Sequence, residues 1–197
     1  MGKSSAASRE RIVAGAADMI SRRGLNAASI REVAKHAEAP LGSTYHYFPE
    51  GKQQLATEAV RYAGGTVARI LRKRLDAGPA AGVRAFLELW RGIVVESDFR
   101  AGCPVLAVSV EAPPDEDDIP PALVAAAEAF EEWEGLLTDA LRAHGVAPER
   151  APALAALVVA SVEGAIAMCR AKRDTEPLDR VAGQLDAVIA EALERQA

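Results

Sequence analysis

Apolar residues recur at spacings of three and four along most of the chain, and no stretch alternates with the period of two that a half-buried strand needs. Ile12, Val13, Ala16, Ala17 and Ile20 form the first such stripe. "RRG" follows, with cations in the last turn and Gly24 suited to the C-cap, so a first helix ends there. "SIRE", residues 29–32, is a capping box: Ser29 accepts from the amide of Glu32 while the Glu32 side chain reaches back. Ile30, Val33 and Ala34 give this second, short helix an apolar face, and it ends near His36. After the turn "AEA", Pro40 opens a third short helix and Pro49 stops it. Two short helices joined by a tight turn make a helix-turn-helix.

A longer helix is expected from about 51 to 75, and its Gly64 and Gly65 mark the place where it bends most cheaply. "DAGPAAG" then reads as a boundary. Further helices are expected near 80–97, 103–112, 120–144, 149–172 and 177–195, with "APPDEDDIPP" an acidic, proline-rich loop. The chain is thus expected to be all-α, with about nine helices. A helix-turn-helix domain occupies 1–52, and 53–197 form a larger helical body. Residues 153–169 are apolar all round except for Ser161 and Glu163, which requires cover on more than one face. That run is too short and too interrupted to span a membrane. In the last helix Leu178, Val181, Leu185, Val188 and Ala192 form the stripe of a helix packed along a partner.

Charge changes the picture. The formal net charge is −5, but residues 1–75 carry 13 Lys and Arg against 6 Asp and Glu, whereas 76–197 carry 10 against 22. A basic N-terminal segment on an acidic body suggests a polyanion-binding part. The start "MGKSSAASRERI" lacks a secretory stretch and Cys103 and Cys169 are the only cysteines, so the expected location is the cytosol. The three histidines, His36, His46 and His144, are scattered, so neither a metal site nor a cofactor is expected, and no phosphate loop or nucleophile elbow suggests an enzyme. The third helix carries an unusual cluster: Tyr45, His46 and Tyr47, with Phe48 at its end. On a short helix after a capped one, such rings fit the major groove. Tyr45 and Tyr47 can donate from their phenols, Ser43 and His46 can reach a base edge or phosphate, and Gly42 leaves room for close approach. Phe48 is expected to plug the core beneath, and Lys52 with its helix N-terminus to hold a phosphate.

"SIREVAKHAEAPLGSTYHYFPEGKQQL", residues 29–55, resembles the recognition segment of the TetR family of transcriptional regulators. "FPEGK" and "AGCPVLAVSVE" are similar to one branch of it that includes drug-responsive repressors. The resemblance implies DNA contacts at Ser29, Arg31, Gly42, Ser43, Thr44, Tyr45, His46, Tyr47 and Lys52, although Thr44 stands where an aliphatic residue is usual. Glu38 takes the place of a common turn glycine, at a cost of roughly 1 kcal/mol if that residue is left-handed. It further implies a homodimer through about 149–195, a double-stranded palindromic operator and release by a small hydrophobic inducer.

An apolar cavity with few polar groups is the usual build of an inducer site. Phe86, Trp90, Cys103, Phe130, Trp133, Glu163 and Met168 are its candidate lining. Cys103 also precedes Pro104 at a helix start, where a dipole lowers a thiol's pKa. The competing function classes are a ligand-independent architectural DNA-binding protein and an enzyme.

Overall fold

The computed structural model describes residues 2–112 and 119–194, with side chains from residue 6 onward. Among the described residues there are nine helices and no strand: α1 (Gly2–Arg23), α2 (Ile30–His36), α3 (Leu41–Tyr47), α4 (Lys52–Leu75), α5 (Pro79–Glu96), α6 (Pro104–Ser109), α7 (Pro121–Ala143), α8 (Arg150–Lys172) and α9 (Glu176–Glu194). The acidic loop expected at 112–121 lies mostly outside the described residues. The helices gather into two compact units, Met1–Gly65 with Pro104–Ala129, and Thr66–Cys103 with Phe130–Ala197. Where the sequence suggested one cut after residue 52, the units are interleaved along the chain, and α4 and α7 each continue from one into the other.

In the first unit α1 packs on α2, α3 and α6. Ile12, Ala16 and Ile20 of α1 are buried, as are Val33 of α2, Phe48 after α3, and Leu55 and Val60 of α4. Burying each large side chain of this kind contributes about 1.5–3 kcal/mol. Arg9 ties α1 to α4, its guanidinium 2.6 Å from a Glu58 carboxylate oxygen and stacked over the Phe48 ring at 5.1 Å. Gly24 ends α1 with φ +79°, its amide donating to Ile20 O at 2.9 Å.

The capping box on α2 is half made. Ser29 Oγ accepts from the Glu32 amide at 3.2 Å, but the Ser29 amide donates to Ala27 O, and the Glu32 carboxylate faces Arg23 at 3.6 Å. After α2 the Ala39 amide donates back to Ala34 O at 2.9 Å, a closure that needs a left-handed residue between them. Glu38 is that residue, with φ +49°.

The second unit is built from α5, α8 and α9 packed on one another, with Phe86, Trp133, Leu137, Ile166 and Ile189 in its interior. Three expectations change. The α9 stripe faces inward: Leu178, Leu185 and Ala192 are buried and Val181 and Val188 half-buried, because α5 and α8 already cover that side. In α4 the glycine pair interrupts nothing. Gly64 is where the helix comes closest to Ala129, whose Cβ would lie 2.7 Å from a Cβ added there, while Gly65 has open space. Finally, α8 runs for 23 residues and is long and apolar enough to cross a bilayer by length and composition alone. In this fold the apolarity has another cause, a buried face comprising Leu154, Val158, Val162, Ile166 and Cys169.

Candidate nucleic-acid interface

α3 divides its residues between two faces. Thr44 is 0% exposed and its Oγ1 donates to Pro40 O at 3.2 Å. It belongs to the core with Phe48, and is removed from the DNA-facing set, because residues four apart share one side of a helix. The opposite face carries Tyr45, 55% exposed, with exposed His46 and exposed Gly42, where an added Cβ would meet nothing within 4 Å. Ser43 and Tyr47 are half-buried, and the Tyr47 ring leans on His46 with centroids 5.7 Å apart. Arg31 is exposed on α2. Ser29 is also exposed, and its oxygen caps α2 by accepting from the Glu32 amide.

Lys52 has a partner within the chain. Its ammonium donates to Asn26 O at 3.1 Å and so braces the turn between α1 and α2. The same turn is held from the other side by Glu111, just after α6. One carboxylate oxygen accepts from the Leu25 amide at 2.5 Å and the other from the Asn26 amide at 3.0 Å. Charge-assisted bonds of this kind are worth roughly twice neutral ones. Glu111 was not singled out in the sequence, since nothing local marks a contact across 86 positions. Beside the turn lies a largely apolar cavity of about 240 Å³, bordered by Leu25, Ala56, Val108 and Leu123 together with Lys52 and Glu111. None of the residues named as inducer lining borders it, and its two charged borders already bond the turn.

In the second unit the structure joins several of those named residues. Phe86 packs edge-on against Trp90 (6.3 Å between centroids) and Trp133 (5.7 Å), and Phe130 against Trp133 (5.5 Å). Phe130 is half-buried. Met168 is an exception: 49% exposed, it stands on the outer face of α8 and not in the interior. Cys103 and Glu163 are both buried, Glu163 to 4% exposure. The Trp90 indole nitrogen has no hydrogen-bond partner among the described residues. Burial raises the Glu163 pKa to about 8, against the smaller lowering effect of a hydrogen bond with the Cys103 side chain.

A helix-turn-helix with a ring-bearing outer face, on an otherwise all-helical chain, defines a DNA-binding transcriptional regulator. Residues 12–59 match the bacterial regulatory proteins of the tetR family, and residues 79–184 match the C-terminal domain of LmrA/YxaF-like transcriptional regulators. The chain belongs to the TetR family. An uncharacterized HTH-type transcriptional regulator of Mycobacterium tuberculosis H37Rv, Rv0196, is 43% identical over 95% of this chain and 97% of its own. DhaR, an HTH-type transcriptional repressor of Mycobacterium sp. strain GP1, is 27% identical over 94% of this chain and 91% of its own. A TetR transcriptional regulator from Legionella pneumophila shares the fold, with a TM-score of 0.78 at 20% identity over 91% of this chain and 95% of that one. These relatives are regulators, and the enzyme reading falls away.

Proposed function

We propose that this TetR-family regulator is a ligand-responsive repressor that binds a palindromic operator as a homodimer in the cytoplasm and leaves it when a small hydrophobic molecule enters the second unit. The observation that carries the DNA reading is the split of α3, with Thr44 and Phe48 inside and Tyr45 and His46 outside, flanked by Arg31 and Lys52. The inner residues fix the helix while the outer ones are free to touch a groove. Ser29, Gly42, Ser43 and Tyr47 complete the proposed contact set. The relative DhaR, a transcriptional repressor, supports the sign of the regulation.

Dimerisation is supported by a face that no described part of the chain covers. On α8, Ala153, Leu157, Ala160, Gly164 and Met168 are exposed at spacings of three and four, with Leu157 45% exposed. On α9, Gly183, Ala187 and Ala190 are exposed in the same way. A second copy covering these faces would present two α3 helices to half-sites about 34 Å apart or more. Inducer and DNA are coupled only as far as the ligand prefers one of two states of the protein.

The test is a mobility-shift and footprinting series on the intergenic DNA beside the gene. The parent should protect one palindrome. Tyr45→Ala and Lys52→Ala should each weaken binding by about 1–3 kcal/mol per half-site, the first also relaxing base preference. Protection that grows with DNA length and ignores both substitutions would mean an architectural binder instead.

A further inference from the structure

The cavity beside the α1–α2 turn has no part in the functions assigned so far. It lies wholly within the first unit, between the start of α4, the end of α6 and the start of α7. At about 240 Å³ it exceeds the roughly 150 Å³ in which an apolar cavity holds benzene, so a fused pair of rings is the size that fits. Leu25, Ala56, Val108 and Leu123 give it apolar walls, and charge is confined to Lys52 and Glu111. Apolar walls with a few placed polar groups are the usual build of a small-molecule site.

Those two charges are not matched alike. Both Glu111 oxygens accept main-chain amides, from Leu25 and Asn26, whereas the Lys52 ammonium, with three N–H groups in all, donates to one neutral oxygen, Asn26 O. A cationic ligand would find the Glu111 oxygens already engaged. A carboxylate would find donors on Lys52. Both residues are half-buried, so a charge that meets Lys52 there is screened less than one at the open surface. The segment 1–75, with 13 basic against 6 acidic residues, draws anions to the same side.

We propose that this cavity is a second effector site, taking a bicyclic aromatic carboxylate whose rings lie between α4, α6 and α7 and whose carboxylate accepts from Lys52. Lys52 also stands in the proposed DNA-contact set, so the carboxylate and an operator phosphate compete for one ammonium. The ligand therefore opposes DNA binding from within the first unit, without passing through the second. The opposition is mutual by linkage: operator DNA lowers the ligand's affinity by the same factor by which the ligand lowers the operator's. The site goes beyond the inducer reading given above, and only its competition with DNA rests on Lys52 touching a phosphate.

The probes are 2-naphthoate and the neutral amide of the same shape, 2-naphthamide, and binding to the full chain is followed by calorimetry at neutral pH. The naphthoate should bind the parent at least about ten-fold more tightly than the amide. Lys52→Met, which keeps an unbranched side chain and removes the charge, should bring the two within about three-fold. Leu123→Trp, which fills the cavity from a half-buried wall, should weaken both probes by about ten-fold or more, with circular dichroism confirming that each variant is folded. Saturating operator DNA should weaken naphthoate binding to the parent by about three-fold or more. Equal affinity of the two probes for the parent would overturn the proposal. So would a preference that survives Lys52→Met, affinities untouched by Leu123→Trp, or no binding of either probe up to about 1 mM. A naphthoate affinity that operator DNA leaves unchanged would overturn the competition. The calorimetry on protein alone uses no DNA, so its failure refutes the ligand site and leaves the repressor reading to the mobility-shift series.

Discussion

Replacing Glu163 with glutamine should make the protein more stable at neutral pH and should flatten its stability between pH 5.5 and 7.5. The reason is a proton. In the unfolded chain this carboxyl titrates near its ordinary value of 4.5, whereas burial in the fold raises it to about 8. Between those values the folded chain holds a proton that the unfolded chain releases. The stabilisation linked to that proton is complete below about pH 4.5 and is lost as pH rises through about 8. Each unit of pH in that window changes the folding free energy by about 1.4 kcal/mol, so two units amount to about 2–3 kcal/mol. Glutamine has nearly the same shape and cannot ionise, so the variant lacks this slope. The assay is urea denaturation of both proteins at pH 5.5, 6.5 and 7.5, with the difference between them isolating position 163 from every other titrating group. The gap should widen steadily with pH. Parallel curves would show that Glu163 is ionised in the fold, with a partner that answers its charge, and the reasoning would fail.

Three further outcomes follow from particular contacts. Glu38→Gly should stabilise the protein by roughly 1 kcal/mol in thermal melts, because the left-handed backbone at 38 strains any residue with a Cβ. Gly64→Ala should destabilise by about 1–3 kcal/mol through its collision with Ala129, while Gly65→Ala, in open space, should be neutral or gain up to about 1 kcal/mol; denaturation of the two single variants separates them. Leu157→Glu should give a folded monomer in ultracentrifugation, whereas Leu185→Glu, aimed into the chain's own interior, should unfold the protein; a dimeric Leu157→Glu protein would remove the outer face of α8 from the interface.

Much of this arrangement was legible in the sequence, and what was not has a common cause. Helix periodicity, Gly24 and Ser29 placed the first three helices, since those signals act within a few residues of where they lie. The left-handed turn at Glu38 was raised only by the family resemblance, which puts a glycine at that place. Periodicity tells that a helix has an apolar side but not which neighbour covers it. The stripe on α9 therefore looked like a dimer seam and turned out to face α5 and α8. Thr44 entered the DNA set through the resemblance alone, but its place one turn before Phe48 puts it on the core side. Gly64 looked like a hinge because its nearest neighbour, Ala129, lies 65 positions on, where no local signal reaches. Glu111 escaped for the same reason, a carboxylate in an acidic stretch whose two amide partners are remote.

The manner in which Glu111 holds the turn after α1 has a consequence for how this protein tolerates change. Its carboxylate bonds the amides of Leu25 and Asn26, and Lys52 bonds the carbonyl of Asn26, so every grip falls on the main chain. The side chains at 25 and 26 can drift through many residue types without loosening the hold, proline excepted, because every other residue offers the same N–H. Gly24 has no such latitude. Its φ is left-handed, and any Cβ there would run into the Glu111 carboxylate. In a saturation library selected for DNA binding, positions 25 and 26 should therefore look permissive and 24 and 111 intolerant, the last constrained by the two amides its carboxylate holds.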